Sequence, residues 1–119
     1  MGISTYMDLR VWQHSIQLTK LIYKTTRAFP KDEIYGLTSQ MRRAAVSIAS
    51  NIAEGSERNS TKEFQQFLAM AAGSLAELRT QLIIAVEIEY IATENASEIP
   101  ALISDTSKML SGLRKKLNG

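Results

Sequence analysis

Apolar residues recur along this chain at steps of three and four, in four separate stretches. In the first, from about Leu9 to Phe29, Val11, Ser15, Leu18, Ile22 and Phe29 share one face of a helix that turns about 100° per residue. Trp12, Ile16 and Tyr23 widen that face, while Gln13, Gln17, Lys20, Lys24 and Arg27 lie opposite. Pro30 stops the helix, because the residue before a proline is pushed out of the helical region. Lys31-Asp32-Glu33 reads as a solvated turn. The second stretch, residues 37–54, gathers Leu37, Met41, Ala44, Ala45, Ile48 and Ile52 within one arc. Gly55 follows where a left-handed helix cap is expected, and Ser56-Glu57-Arg58-Asn59 is the loop.

The third stretch opens on Ser60-Thr61-Lys62-Glu63, a capping box in which serine and glutamate each satisfy an orphan backbone donor. Phe64, Phe67, Leu68, Ala71, Leu75, Leu78, Leu82, Ala85 and Val86 then hold one stripe through about Ile91, roughly 45 Å of helix. Thr93-Glu94-Asn95 breaks it. The fourth begins near Ser97, with Pro100 tolerated in its first turn, and aligns Ile99, Leu102, Ile103, Thr106, Met109, Leu110, Leu113 and Leu117. Lys115 and Lys116 complement the dipole of its last turn. The pattern predicts an all-α protein, an antiparallel up-down-up-down four-helix bundle forming a single domain over residues 1–119. Its helices are expected at about 9–29, 37–54, 61–91 and 98–117.

Composition narrows the chemistry. The absence of cysteine excludes disulfide frameworks, thiolate zinc sites and cysteine nucleophiles. Eight glycines and prolines in all, with 7% aromatics, speak against a turn-rich sandwich or barrel. A net charge of +2 is spread unevenly. Residues 1–60 carry eight basic against five acidic side chains, and residues 61–119 carry six against seven. That mild bias permits an anionic partner without demanding one. The first residues show no basic-then-apolar leader, and the apolar stretches fall short of the roughly 20 residues a membrane span needs. A cytoplasmic chain without a membrane partner is the expectation.

Two segments are apolar on more than one side. Val46, Ala49 and Ala53 line up away from Ile48, and Met70, Gly73, Ile84, Ile88 and Ile91 lie roughly opposite the core stripe of the third segment. Scattered alanines suit any helix; the isoleucines point to a homo-oligomer interface.

Catalytic constellations are missing. His14 is the only histidine, and Val11 stands three residues before it, so no Glu-x-x-His pair exists for a di-iron centre. No phosphate-binding or nucleophile-elbow motif occurs. Glu54 and Glu57 are better explained by capping and ion pairing than by acid–base work. The reading is non-enzymatic, with no cofactor and no metal. Arg42-Arg43 is the clearest basic feature. Neighbours diverge by about 100° on a helix, so the two are not expected to face one partner. Ion pairing with Glu54, Glu77 or another acid is preferred for Arg42, and phosphate binding stays open for Arg43. Lys24, Arg27 and Lys31 form a second basic patch; Arg58 and Lys62 form a third. Trp12 and Tyr23 fit core or interface packing better than base stacking.

Taken together, Leu9-Arg10-Val11-Trp12, Ile22-Tyr23, Phe29-Pro30, the run Tyr35-Gly36-Leu37-Thr38-Ser39-Gln40-Met41-Arg42-Arg43-Ala44-Ala45-Val46-Ser47-Ile48, Asn51-Ile52-Ala53-Glu54-Gly55 and Ala72-Gly73-Ser74-Leu75-Ala76-Glu77-Leu78 carry a resemblance. Over about Leu9 to Leu117 the chain resembles the bacterial four-helix-bundle family of 23S rRNA intervening-sequence proteins, to which the accessory variability proteins of diversity-generating retroelements are related. One departure is Ala49-Ser50, where many relatives carry proline and a small residue, so a helix kink there is expected to be weaker. The resemblance implies a ring-forming bundle, with a pentamer as the expected form, and a non-enzymatic role. It also implies nucleic acid or another polypeptide as partner, as in the retroelement relatives. By position it marks Arg42, Arg43, Asn51, Glu54, Gly55 and Glu77 as signature residues, with Gly55 as a cap, Asn51 and Glu54 as buried or interfacial partners, and the arginines as counter-charges. Five copies of a +2 chain would carry about +10, enough to turn a modest local charge into a usable field. The expected function is a weak nucleic-acid-binding scaffold; the alternative is a protein-docking module that touches no nucleic acid.

Overall fold

The computed structural model describes residues 5–93 and 97–118, and these form four α-helices: α1 (Arg10–Thr26), α2 (Leu37–Ser56), α3 (Thr61–Glu87) and α4 (Glu98–Asn118). A one-turn 3-10 helix, Tyr6–Asp8, precedes α1, and another, Lys31–Glu33, lies between α1 and α2. No strand occurs among the described residues. Each helix packs on the next, and α4 closes back on α1. Contacts of α2 with both neighbours run in opposite chain order: Thr19 and Thr26 of α1 meet Ala45 and Arg42 of α2, and Gly55 of α2 lies against Phe64 and Phe67 of α3, whereas Ser47 meets Ser74.

The core is the set of positions the apolar spacing selects. Leu18, Ile22, Met41, Ile48, Ile52, Leu68, Leu78, Ile99, Ile103 and Leu110 are all fully buried. Each contributes about 1.5–3 kcal/mol of burial free energy. Three polar residues inside are turned onto the backbone: the hydroxyls of Ser15, Thr26 and Thr106 donate to the carbonyls of Trp12, Ile22 and Leu102. Thr19 donates both to Ser15 of its own helix and, across the interface, to the carbonyl of Ala45.

Helix ends differ from the expected ones, each for a local reason. α1 ends at Thr26, three residues early, because the amides of Ala28 and Phe29 turn back to Thr25 and Thr26. Phe29 reaches the core from that turn. α3 ends at Glu87 rather than Ile91. Glu89 adopts a left-handed conformation with φ 66°, and the amides of Glu89 and Tyr90 return to the carbonyls of Val86 and Ala85, a Schellman closure. That turn swings Ile91 into the core, so it is no surface for a partner. Of the expected break at residues 93–95, Glu94 and Asn95 lie outside the described residues.

α2 continues through Gly55 to Ser56, and Gly55 is a buried helical residue rather than a cap. No glycine among the described residues has positive φ. Its role is contact: a Cβ there would sit 2.6 Å from Cβ of Phe67 and 3.0 Å from Cδ1 of Phe64. A missing side chain lets α2 and α3 close on one another. The capping box at Ser60 forms in part. Ser60 Oγ accepts from the amide of Glu63 at 3.1 Å, while the Glu63 carboxylate takes the serine hydroxyl at 3.4 Å.

The end of the bundle that holds the α1–α2 connection is tied by Glu33. One carboxylate oxygen accepts from the Leu37 amide at 3.0 Å, the other from the Tyr90 hydroxyl at 2.7 Å. Both hold the Glu33 carboxyl below its ordinary pKa, the backbone bond most strongly and the tyrosine next, against a small cost of burial. The same contact raises Tyr90. A Cβ at Gly36 would come 2.5 Å from the Glu33 oxygen, so a side chain there would displace that carboxylate.

Candidate functional site

An open groove of about 530 Å³ runs between the second half of α1 and the first half of α2. Tyr23, Ile34 and Val46 give it apolar walls, and Arg42, Arg43, Thr38, Ser39 and Ser47 supply its polar groups. A second groove of about 420 Å³ adjoins it, lined by Arg27, Phe29, Lys31 and Thr26, with Ile34, Thr38 and Arg42 shared between the two. No carboxylate lines either groove.

Arg42 stands where they meet, and its orientation is fixed from two sides. Its Nε donates to Thr26 Oγ1 at 2.9 Å, and its guanidinium carbon lies 4.6 Å from the centre of the Tyr23 ring. The ring holds the guanidinium by cation–π attraction. Among the described residues Arg42 therefore makes no ion pair, and the expected pairing with an acid of its own chain is not seen there. Tyr23 is correspondingly not a core residue; it is exposed and backs the arginine. Trp12 does pack against the core, edge-on to Tyr6.

Arg42 and Arg43 line the same groove, which corrects the expectation that divergence keeps them apart. A groove has two rims, and long side chains that leave a helix about 100° apart can each form part of its wall. Lys24 and Arg27 extend this basic surface. With Lys20 and Tyr23 they line a further shallow groove against α4, where Glu98 supplies one acid. Arg58 and Lys62 do not join it. They lie beyond the far end of α2, 15 or more residues past Arg43. Arg58 is also committed locally, to Glu54 at 3.1 Å and over the ring of Phe67 at 4.7 Å.

The other signature residues are placed differently from their expected roles. Glu54 is exposed and bound to Arg58. Asn51 donates to the carbonyl and hydroxyl of Ser47, which also accepts from Ser74, so it orders the α2–α3 seam rather than opposing an arginine. Glu77 is exposed on α3. Among the residues expected at an interface, Ala49 is buried in the chain's own core and Ala53 is half-buried. Val46, Met70, Gly73, Ile84 and Ile88 are exposed, with Ile84 and Ile88 at 44% and 47%. Ile83, exposed at 57%, belongs with them although its position on the helix gave no reason to choose it. By length and apolar content alone α3 is also long enough to cross a bilayer; here it forms one wall of the bundle.

A cysteine-free four-helix protein with a basic groove beside one apolar flank is the class these features define. The profile of the family described as 23S rRNA-intervening sequence protein matches residues 7–112, and the chain belongs to that family. Among solved structures it is similar to a protein of unknown function from the S23 ribosomal protein family of Bacteroides thetaiotaomicron VPI-5482, with a TM-score of 0.78 and 24% identity. That likeness spans 88% of this chain and 98% of the other, and it concerns the fold. Among curated proteins no sequence matches.

Proposed function

We propose that this chain is a non-enzymatic, self-associating cytoplasmic scaffold that binds RNA or DNA weakly through its phosphates. The observation that carries the reading is the convergence of Arg42 and Arg43 on one groove free of carboxylates. A guanidinium held in place loses less freedom on meeting a phosphate, and its planar fork suits phosphate oxygens. Self-association, with a ring of five as the expected form, is supported by the exposed Met70, Ile84 and Ile88 on α3. The same apolar residues favour the second reading, a module that docks another polypeptide and no nucleic acid.

A gel-shift titration of RNA and DNA across salt separates the two. The scaffold predicts complexes that weaken steeply as salt rises, because each phosphate contact releases counterions. Arg43→Glu should weaken binding about tenfold or more and flatten the salt slope by about one. Absence of binding by both forms favours the docking module. Light scattering reads assembly: Ile84→Lys should shift particles toward the mass of one chain, and a wild-type monomer at micromolar concentration removes the ring.

A further inference from the structure

The groove walls hold a hydroxyl that its own chain does not use. Thr38 is only 3% exposed, yet it lines both adjoining grooves, and its hydroxyl has no hydrogen-bond partner among the described residues. Other deeply buried hydroxyls in this fold, those of Ser15, Thr26 and Thr106, are all turned onto backbone carbonyls. The hydroxyl is not sealed from solvent, since Gln81 Oε1 is the one buried side-chain atom without a partner among the described residues; it opens to the groove's water, which a ligand atom can replace.

Around Thr38 stand four cations: Arg42 in both grooves, Arg43 on one side, Arg27 and Lys31 on the other. None of the other three has a partner among the described residues, and Arg42 spends only its Nε on Thr26. The first turn of α2 opens at the same point, with Thr38 and Ser39 in the groove walls, and a helix N-terminus adds partial positive charge. The carboxylate of Glu33, ahead of that turn, is engaged by the Leu37 amide and Tyr90. Four cations and an idle hydroxyl exceed what one backbone phosphodiester, with a single charge and two free oxygens, can use. A phosphate monoester carries about −1.5 to −2 charge near neutrality and three acceptor oxygens. The walls formed by Tyr23, Ile34 and Val46 leave apolar surface for whatever carries that phosphate.

Building on the phosphate-binding reading above, we propose that the junction of the two grooves is a site for a terminal phosphate monoester, borne by a nucleotide or by a strand end, and read by Arg42 and Thr38. Arg42 is the fixed fork, Thr38 supplies the neutral hydrogen bond, and Arg27, Lys31 and Arg43 balance the second charge.

The test compares a 3′-labelled single-stranded 12-mer carrying a 5′-phosphate with the same strand carrying a 5′-hydroxyl. The wild-type protein should prefer the phosphorylated strand about tenfold, the scale of one charge-assisted hydrogen bond. Thr38→Val, close in shape, should erase that preference while keeping the affinity for the 5′-hydroxyl strand; Arg42→Lys, equal in charge but part of the general phosphate groove, should bring the ratio of the two affinities to about one while weakening both. Melting curves confirm that both variants are folded, and Arg42→Lys carries the test if Thr38→Val is not. Displacement of the phosphorylated strand by adenosine 5′-monophosphate supports the site with a free nucleotide as sufficient ligand. A preference that persists without displacement supports it with a strand end as ligand. Equal affinity for the two strands overturns the terminal-phosphate assignment and leaves the general phosphate groove standing. Failure to bind either strand overturns both.

Discussion

Two seams run along α2, and opposite kinds of side chain build them. Toward α3 the residues are small where the helices meet: Gly55 lets the Phe64 and Phe67 side chains lie against the α2 backbone, and Ser47 meets Ser74 at 2.9 Å. Toward α1 the outer positions are long, and Tyr23, Arg42 and Arg43 border an open groove instead of closing it. One helix thus has a sealed edge that holds the fold and a propped edge whose polar groups are free for a ligand. Small residues remove surface from water, whereas rigid long ones keep a cleft from collapsing.

That contrast can be broken from either side. The largest effect belongs to the shared interior: Ile52→Ala, which empties a fully buried position of α2, should cost about 2–5 kcal/mol in urea denaturation. Next comes the sealed edge. Alanine usually stabilises a helix over glycine by about 0.5–1 kcal/mol. At Gly55 its methyl would collide with the Phe67 Cβ, so Gly55→Ala should instead destabilise, with an overpacking cost of about 1–3 kcal/mol. The propped edge should behave in the reverse manner. Arg43→Glu removes an exposed side chain without a partner among the described residues, and the melting midpoint should move by no more than about 0.5 kcal/mol equivalent. Its loss should appear in binding alone.

The smallest effect is a pH dependence outside both seams. Glu33 is held below its ordinary pKa by the Leu37 amide and then by the Tyr90 hydroxyl. The folded state therefore binds its proton less readily than the unfolded chain does. Its contribution is complete above about pH 4.5, the ordinary glutamate value, and fades as pH falls through the lower folded one. Tyr90 is raised, chiefly by its bond to Glu33, so its share is complete below pH 10.0 and fades as pH climbs past that value. Glu33→Gln should melt lower than wild type at pH 7, and the two curves should converge in acid.

The sequence made the interior legible because helical periodicity depends only on local spacing, and the stripe from Val11 to Ile22 or from Leu68 to Ala85 is buried as its spacing predicts. Positions set by another helix were not legible. Gly55 resembles a cap when seen alone; only the Phe67 Cβ opposite explains it. The end of α3 carries no glycine or proline, and a glutamate takes the left-handed position instead. The groove was half visible. Arg42 and Arg43 stood out by charge, but their meeting depends on Tyr23 and Thr26, 16 or more residues earlier, for which spacing gives no sign. Thr38 entered only within the string from Tyr35 to Ile48 that carries the resemblance, with no sign of its role, since an idle hydroxyl is a property of its surroundings.

The Tyr90–Glu33 hydrogen bond spans 57 positions of the chain and fastens the stretch after α3 to the stretch before α2. With Phe29 also stacked on Tyr90 at 5.2 Å, that end of the rod is clasped across its diameter. A single peptide-bond cut between Glu33 and Gly36 would leave Glu33 on one fragment and Tyr90 on the other, still joined by that hydrogen bond and by the Phe29–Tyr90 contact.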